Sequence, residues 1–370
     1  MAKILNNQRR LSFSNQSGLP DFLRSDNDYD VYYFNSGREA IYAFLTENYS
    51  IPGTVLLPAY LPEGIYVPFK KLNWTIHFYD LNKDGTCDPD SVINILDKTS
   101  IDIFMLIHLF GIPNINLSLI ARLKSKKVLI IEDLAHALGS ELINSSFGKT
   151  GELILYSPGK MIGVPSAGIL KHKKDKNIHL PKGRKNVLWF IFNGFSILFL
   201  VFSTWLQKSP LWLCKLITPF YKVSGAVSYK ILMGNFTNQT TLADFSKRLL
   251  RKTDYMWQVN KRLEMISYYL KHLRQDLFEF FITDFQSNYV MMGFPVYIKG
   301  DRQAFINHLK KFNVYGLVLT GGWLFLSEEE KKKFPVTMNI YKTHFLFPLN
   351  PFHTKEDLEK IVQIANSWEN

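Results

Sequence analysis

Cysteine is nearly absent: the 370 residues include two, Cys87 and Cys214, far apart and in no CxxC pair. That excludes a disulfide framework, leaves no thiolate cluster for zinc, and suits a reducing compartment; no metal site is expected. Acidic residues are also in short supply, 32 against 44 Lys and Arg, for a net charge of +12. The N-terminal 30 residues carry no apolar run with a small-residue cleavage site, so cytoplasmic residence is the expectation. There is no internal repeat and no low-complexity linker. The positive charge is not spread as on a nucleic-acid-binding face: residues 171–185 hold Lys171, Lys173, Lys174, Lys176, Lys182, Arg184 and Lys185 against Asp175 alone. This stretch abuts an apolar run, so nucleic acid is not an expected partner.

What the chain does have is 46% apolar and 15% aromatic residues, ample for a large core. From residue 31 short strand-like and helix-like runs alternate. Strands are expected at 31–34, 54–57, 75–79, 101–107, 128–131, 152–156 and 167–170, and helices at 39–45, 63–69, 88–97 and 117–124. Such alternation predicts an α/β fold with an open, mostly parallel central sheet covered on both faces. Residues 186–207 then carry no formal charge and seven aromatic rings, and 209–234 stay apolar around three lysines. Beyond 240 the pattern is ordinary: a long amphipathic helix over 242–273, strands at 290–298, 314–319 and 343–346, a helix at 302–311, and a last helix capped at Thr354. The expected organisation is an N-terminal arm (1–30), a large α/β domain (31–185), an apolar insertion (186–240), and a connecting helix with a smaller α+β C-terminal domain (241–370).

Three motifs could carry chemistry. Asn35-Ser36-Gly37-Arg38 stands where a strand meets a helix, and free N–H groups there cradle a phosphate; a plain capped helix start reads as well. Glu132-Asp133-Leu134-Ala135-His136 follows a strand, and ligands of open α/β sheets sit at the carboxyl ends of strands. Asp133 there could hold a protonated ring nitrogen and His136 a neighbouring phenolate; a helix cap with a core histidine is the plainer reading. Lys160, in Tyr156-Ser157-Pro158-Gly159-Lys160, lies between turn residues and apolar ones, where burial would make its amine a nucleophile; a surface lysine is the alternative. Together, in this order, an anion cradle, a strand-end carboxylate and a loop lysine are the parts a pyridoxal phosphate enzyme requires.

The stretches FNSGREAIYAFL, VLLPAYLPEGIYVPF, IHLFGIP, VLIIEDLAHALGSE, YSPGKMIGVPSAGIL and FLFPLNPFHTKEDLEKI resemble, in order, the DegT/DnrJ/EryC1/StrS family of fold-type-I aminotransferases. The resemblance spans residues 31–170 and 240–366. It implies a PLP-dependent aminotransferase that moves an amino group from an amino acid, glutamate, to a nucleotide-linked keto-sugar for a surface glycan. It implies Lys160 as the Schiff-base lysine, Asp133 as partner of the pyridine nitrogen, His136 near the phenolic oxygen, and Ser36, Gly37 and Arg38 on the phosphate. A homodimer with composite sites is implied too, Asn235 or Asn238 reaching the other subunit's phosphate. The family's phosphate-binding serine, five residues before the lysine, is Leu155 here, which leaves Ser157 for that role. The Gly-Gly that often follows is Ser166-Ala167-Gly168, and the family's cofactor-stacking aromatic falls on Pro62, with Tyr60 or His108 as replacements. A dehydratase-like PLP enzyme and a membrane-attached scaffold without turnover are the alternatives; dehydrating relatives typically replace the lysine that is present here.

Twenty-two uncharged residues could span about 30 Å as a helix. Since flanking residues belong to the same α/β scaffold, an element lying on the inner face of a membrane is expected instead. Basic residues from 171 onward would contact anionic head groups over 171–234. Burial against the partner subunit is the other reading.

Overall fold

The computed structural model describes residues 5–6, 12–14, 18–164, 167–181, 242, 244–282, 285–286 and 288–369. The apolar insertion 186–240, with Asn235 and Asn238, lies outside them, as do Ser166, Lys182, Arg184 and Lys185.

In chain order the first elements are β1 (Leu5–Asn6), β2 (Tyr29–Phe34), α1 (Gly37–Asn48), β3 (Thr54–Pro58), α2 (Glu63–Lys71), β4 (Thr75–Tyr79), α3 (Pro89–Leu96), β5 (Ile103–Ile107), α4 (Leu117–Ser125), β6 (Leu129–Asp133), β7 (Leu153–Tyr156) and β8 (Gly168–Lys173). Strands β2 to β8 make one seven-stranded sheet in the order β2-β8-β7-β6-β5-β3-β4. Only β8 runs against its neighbours, so the sheet is mostly parallel, as expected.

Its central strands read as unbroken apolar runs because both faces are covered. Side chains alternate across the sheet: Ile103, Met105 and Ile107 of β5 join one core, and Phe104 and Leu106 join the other. The first core is closed by α1 and α2 through Ala40, Ile41, Phe44, Ile65 and Phe69. The second takes Val92 and Leu96 of α3, Leu119 and Leu123 of α4, and the C-terminal half of the chain.

That half contains α5 (Asp244–Lys252), α6 (Tyr255–His272), β9 (Phe278–Phe280), β10 (Gly293–Ile298), α7 (Arg302–Lys311), β11 (Val314–Tyr315), α8 (Glu328–Lys331), α9 (Pro335–Thr343), β12 (His344–Pro348) and α10 (Lys355–Asn366). β12, β10 and β9 form an antiparallel three-stranded sheet.

Three expectations are corrected. The single helix over 242–273 is two, because Asp254 turns its carboxylate onto the Trp257 N–H (3.0 Å) and caps a new helix. The N-terminal arm fills the break: Asp254 N–H donates to Ser12 O (3.1 Å), and Ser14 N–H to Lys252 O (2.7 Å). The strand over 314–319 shrinks to β11, which pairs with Leu5–Asn6, followed by an isolated bridge from Leu317 to Leu346. The strand over 290–298 begins only at Gly293, and α8 and α9 occupy a stretch the periodicity leaves unassigned.

The strand ends are tied together by a buried carboxylate. Glu132 Oε1 accepts from Gly148 N–H (2.8 Å), and Oε2 accepts from Thr150 (2.9 Å) and Gly151 N–H (3.0 Å). His108 Nδ1 accepts from Asn114 N–H, so its Nε2 carries the proton and donates to Glu132 Oε1 at 3.2 Å. Burial alone would raise the Glu132 pKa; the His108 bond and the backbone donors outweigh it and hold it below the usual carboxylate value.

A depressed folded-state pKa stabilises the fold fully above the unfolded value, about 4.3, and the contribution fades as pH falls through the folded value. Glu132→Gln should therefore cost about 3 kcal/mol or more at pH 7, since an amide turns an N–H toward donors in a dry site. It should also flatten the dependence of stability on pH below 5. Urea denaturation at a series of pH values measures both, and an unchanged midpoint at pH 7 contradicts the role given to Glu132.

Candidate active site

The registers bring the three motifs to one edge. Asp133, last in β6, lies beside Ile107 at the end of β5 and Leu155 near the end of β7. Phe34, last in β2, pairs with Gly168, and Tyr156 with Ile169 one residue on. Residues 35–38, 133–136 and 157–160 therefore all leave the carboxyl edge of the parallel strands, where ligands of such sheets sit.

Ser36 is the N-cap of α1: its Oγ accepts from Glu39 N–H (3.2 Å), which still leaves the hydroxyl proton to give. Gly37 and Arg38 are the first helical residues, with N–H groups that have no partner within the helix. The backbone of β8 supports this turn so closely that a Cβ on Gly168 would lie 2.0 Å from the Ser36 carbonyl carbon. Arg38 is buried and runs toward α2, its Nη2 3.9 Å from Glu63 Oε2. Leu155 packs its methyls 3.6–3.7 Å from the position of a Gly37 Cβ, so the expected serine site is filled with hydrocarbon. Ser157 sits in the turn before the lysine, where its carbonyl accepts from Lys160 N–H (2.9 Å).

Lys160 ends a single 3-10 turn (Pro158–Lys160), begun by a proline whose fixed φ suits it. Its Nζ lies 3.2 Å from His136 Nε2. His136 Nδ1 accepts from Phe110 N–H (3.2 Å), so the neutral ring carries its proton on Nε2, facing the lysine. Burial, then the Lys160 charge, pushes the His136 pKa well below its usual value, which keeps the ring neutral. Asp133 is buried, and its carboxylate makes one hydrogen bond among the described residues, Oδ1 accepting from Ala135 N–H (2.8 Å). Burial raises its pKa; Lys160 and that N–H offset only part of the rise.

These residues fit pyridoxal phosphate. A carboxylate with so few donors gains from a cationic N–H such as a protonated pyridine nitrogen. An Nε2–H suits a phenolate oxygen, and the α1 N-terminus suits a phosphate. Lys160, His136 and Asp133 are thus brought together; Ser36, Gly37 and Arg38 form a cradle beside Leu155 and Gly168. Tyr60 and His108, the suggested stacking residues, are both fully buried and committed, Tyr60 O–H to Leu319 O (2.5 Å) and His108 to Glu132.

Three contributors escape sequence reasoning. Phe110 supplies its amide from a left-handed turn (φ 58°), continued by Gly111 (φ 106°), where a Cβ would meet Val290 O at 2.4 Å. Arg262, buried on α6, donates through Nη2 to Met161 O (2.6 Å) and through Nη1 to Gln258 Oε1 (3.0 Å), bracing the residue after the lysine. Burial lowers its pKa to about 9. Trp323 stacks on the His136 ring, centroids 5.7 Å apart and planes 27° from parallel. The Gly-Gly before Trp323 marks a turn, but nothing local aims it 187 residues back along the chain.

Nitrogen-15 spectra of the apoprotein should show His136 neutral at pH 6.5, where a free imidazole is half protonated, with the proton on Nε2; a protonated ring at that pH, or the Nδ1–H form, contradicts the buried Phe110 contact. Gly168→Ala should cost about 2–3 kcal/mol in urea denaturation and weaken binding of inorganic phosphate, because the new methyl pushes on the Ser36–Gly37 backbone. A variant as stable as wild type rules out that close approach.

Residues 35–179 match the DegT/DnrJ/EryC1/StrS aminotransferase family. No curated protein matches the chain by sequence. Among solved structures, a DegT DnrJ EryC1 StrS aminotransferase from Brucella abortus is 12% identical, with a TM-score of 0.63 over 90% of this chain and 84% of that one. NtdA from Bacillus subtilis, with bound cofactor PMP, is 15% identical with a TM-score of 0.62 over 90% and 72%. DesV from S. venezuelae, in complex with a ketimine intermediate, is 15% identical with a TM-score of 0.62 over 94% and 86%. The chain thus matches the DegT/DnrJ/EryC1/StrS aminotransferase family over residues 35–179, and shares the fold of these aminotransferase structures over nine-tenths of its length.

Proposed function

We propose that the protein is a pyridoxal-phosphate-dependent aminotransferase acting on a keto-sugar. The observation that carries this reading is Lys160 Nζ within 3.2 Å of His136 Nε2, beside a buried Asp133 at the carboxyl edge of the sheet. When bound, pyridoxal phosphate supplies an electron sink for a carbanion adjacent to nitrogen. Asp133 holds a proton on a ring nitrogen by its charge. His136, locked as the Nε2–H form, donates to a phenolate oxygen. The N–H groups of Gly37 and Arg38, with the hydroxyls of Ser36 and Ser157, take the phosphate. Lys160 serves as nucleophile toward a carbonyl carbon and moves a proton at the substrate carbon. Its turn is braced by Arg262 through Met161 O, which limits the excursion of the amine.

The finer reading has glutamate as donor, a nucleotide-linked keto-sugar as acceptor, and a surface glycan as destination. It rests on family habit, as does a homodimer. Contact with an anionic membrane through residues 171–234 rests on charge and hydropathy, and Lys171 takes no part in it, being buried in β8 with its Nζ 3.5 Å from Asp26 Oδ2. No helix among the described residues is long and apolar enough to cross a membrane. Failure to bind anionic liposomes would end the membrane idea.

The purified full-length protein mixed with pyridoxal phosphate should turn yellow, and the visible band should be lost in Lys160→Ala and bleached by glutamate in wild type. Activity of Lys160→Ala should fall at least a thousandfold. A colourless wild type would favour a scaffold without turnover, and a band that glutamate leaves unchanged would favour a non-transaminating PLP enzyme.

A further inference from the structure

Trp323 comes from the C-terminal half of the chain and stacks on the His136 ring beside Lys160, and its placement is built. The segment bearing it is rooted at Leu319, whose N–H donates to His344 Nε2 (2.8 Å) and whose carbonyl accepts from Tyr60 O–H. His344 Nδ1 in turn donates to Ile340 O (2.6 Å), which leaves Nε2 as the acceptor. Trp323 N–H closes the turn onto Thr320 O (3.3 Å), and Gly322 takes φ 69° to make it. The segment is then laid against the residues after β3: Glu63 N–H donates to Gly322 O (2.8 Å), Leu61 N–H to Trp323 O (3.3 Å), and Leu324 bridges to Tyr60. The indole packs against the tilted Tyr60 ring (centroids 5.1 Å apart) and stacks on the imidazole of His136.

Hydrogen bonds to an imidazole lie in the plane of the ring. The acceptor that His136 Nε2–H engages therefore sits in a plane that the indole already lies nearly parallel to. An extended π surface in that position suits a flat, electron-poor ring such as protonated pyridine. Pro62, four bonds of chain from the Leu61 amide that holds Trp323, has no π face to offer.

We infer that Trp323 is a cofactor-binding residue, the aromatic platform for the pyridine ring, supplied by the 319–326 segment in place of an aromatic at position 62. The inference rests on the aminotransferase reading. It makes cofactor affinity depend on a loop of the C-terminal half, so that displacing this loop would release the cofactor.

The test is fluorescence and absorbance titration of the full-length apoprotein with pyridoxal phosphate, for wild type, Trp323→Phe, Trp323→Leu and Trp323→Ala. Binding to wild type should quench a component of tryptophan emission that is missing from the spectra of all three variants. Trp323→Phe should bind within about threefold of wild type, whereas Trp323→Leu, which keeps apolar bulk without a π face, and Trp323→Ala should bind about tenfold more weakly. Trp323→Leu decides the matter if Trp323→Ala does not fold. Equal affinity of Trp323→Leu and wild type, with the same quenching in both, overturns the platform while leaving the aminotransferase reading intact. A wild type that takes up no cofactor overturns both.

Discussion

The carboxylate of Glu132, with three backbone N–H groups and His108 turned onto it, is the contact on which the site depends. In a parallel sheet covered on both faces, the connections between strands carry backbone donors that neither strand nor water can satisfy. Glu132 satisfies those of Gly148, Thr150 and Gly151 on the way into β7, and through His108 it fixes the exit of β5. Those two loops lead to Phe110 and, through β7, to Lys160. Without this anchor the amide that sets the His136 tautomer and the turn that presents the lysine would each be free to drift.

Glu132 and Asp133 are consecutive residues with opposite fates. Alternation along a strand sends their side chains to opposite faces. One meets four donors, and its pKa falls; the other meets one, and burial pushes its pKa up. A strand end thus yields, from two adjacent acids, one carboxylate saturated with donors and one with a single hydrogen bond among the described residues. The pair Lys160 and His136 is held with the same economy: a single backbone amide decides which ring nitrogen faces the lysine.

The C-terminal half does more than close the second core. Arg262 reaches from α6 to the carbonyl after the lysine, and Trp323 reaches from the 319–326 segment to the ring of His136. Leu155 and Pro62 stand at two positions beside these contacts. Hydrocarbon fills the first position, and the loop carrying Trp323 is pinned against the second.

Local pattern was enough to determine the alternation of strands and helices from 31 to 170, the mostly parallel sheet, and the order of Ser36, Asp133, His136 and Lys160 along the chain. Those features follow from apolar periodicity, caps and turns, which act over a few residues. It misled at Asp254, where a cap and the docked arm split one amphipathic stretch, and at 314–319, where β11 stops after two residues. The tautomer of His136, the bracing by Arg262 and the arrival of Trp323 were decided only by tertiary structure. Each joins residues between 26 and 187 positions apart, and tertiary packing, not local propensity, sets which of them meet.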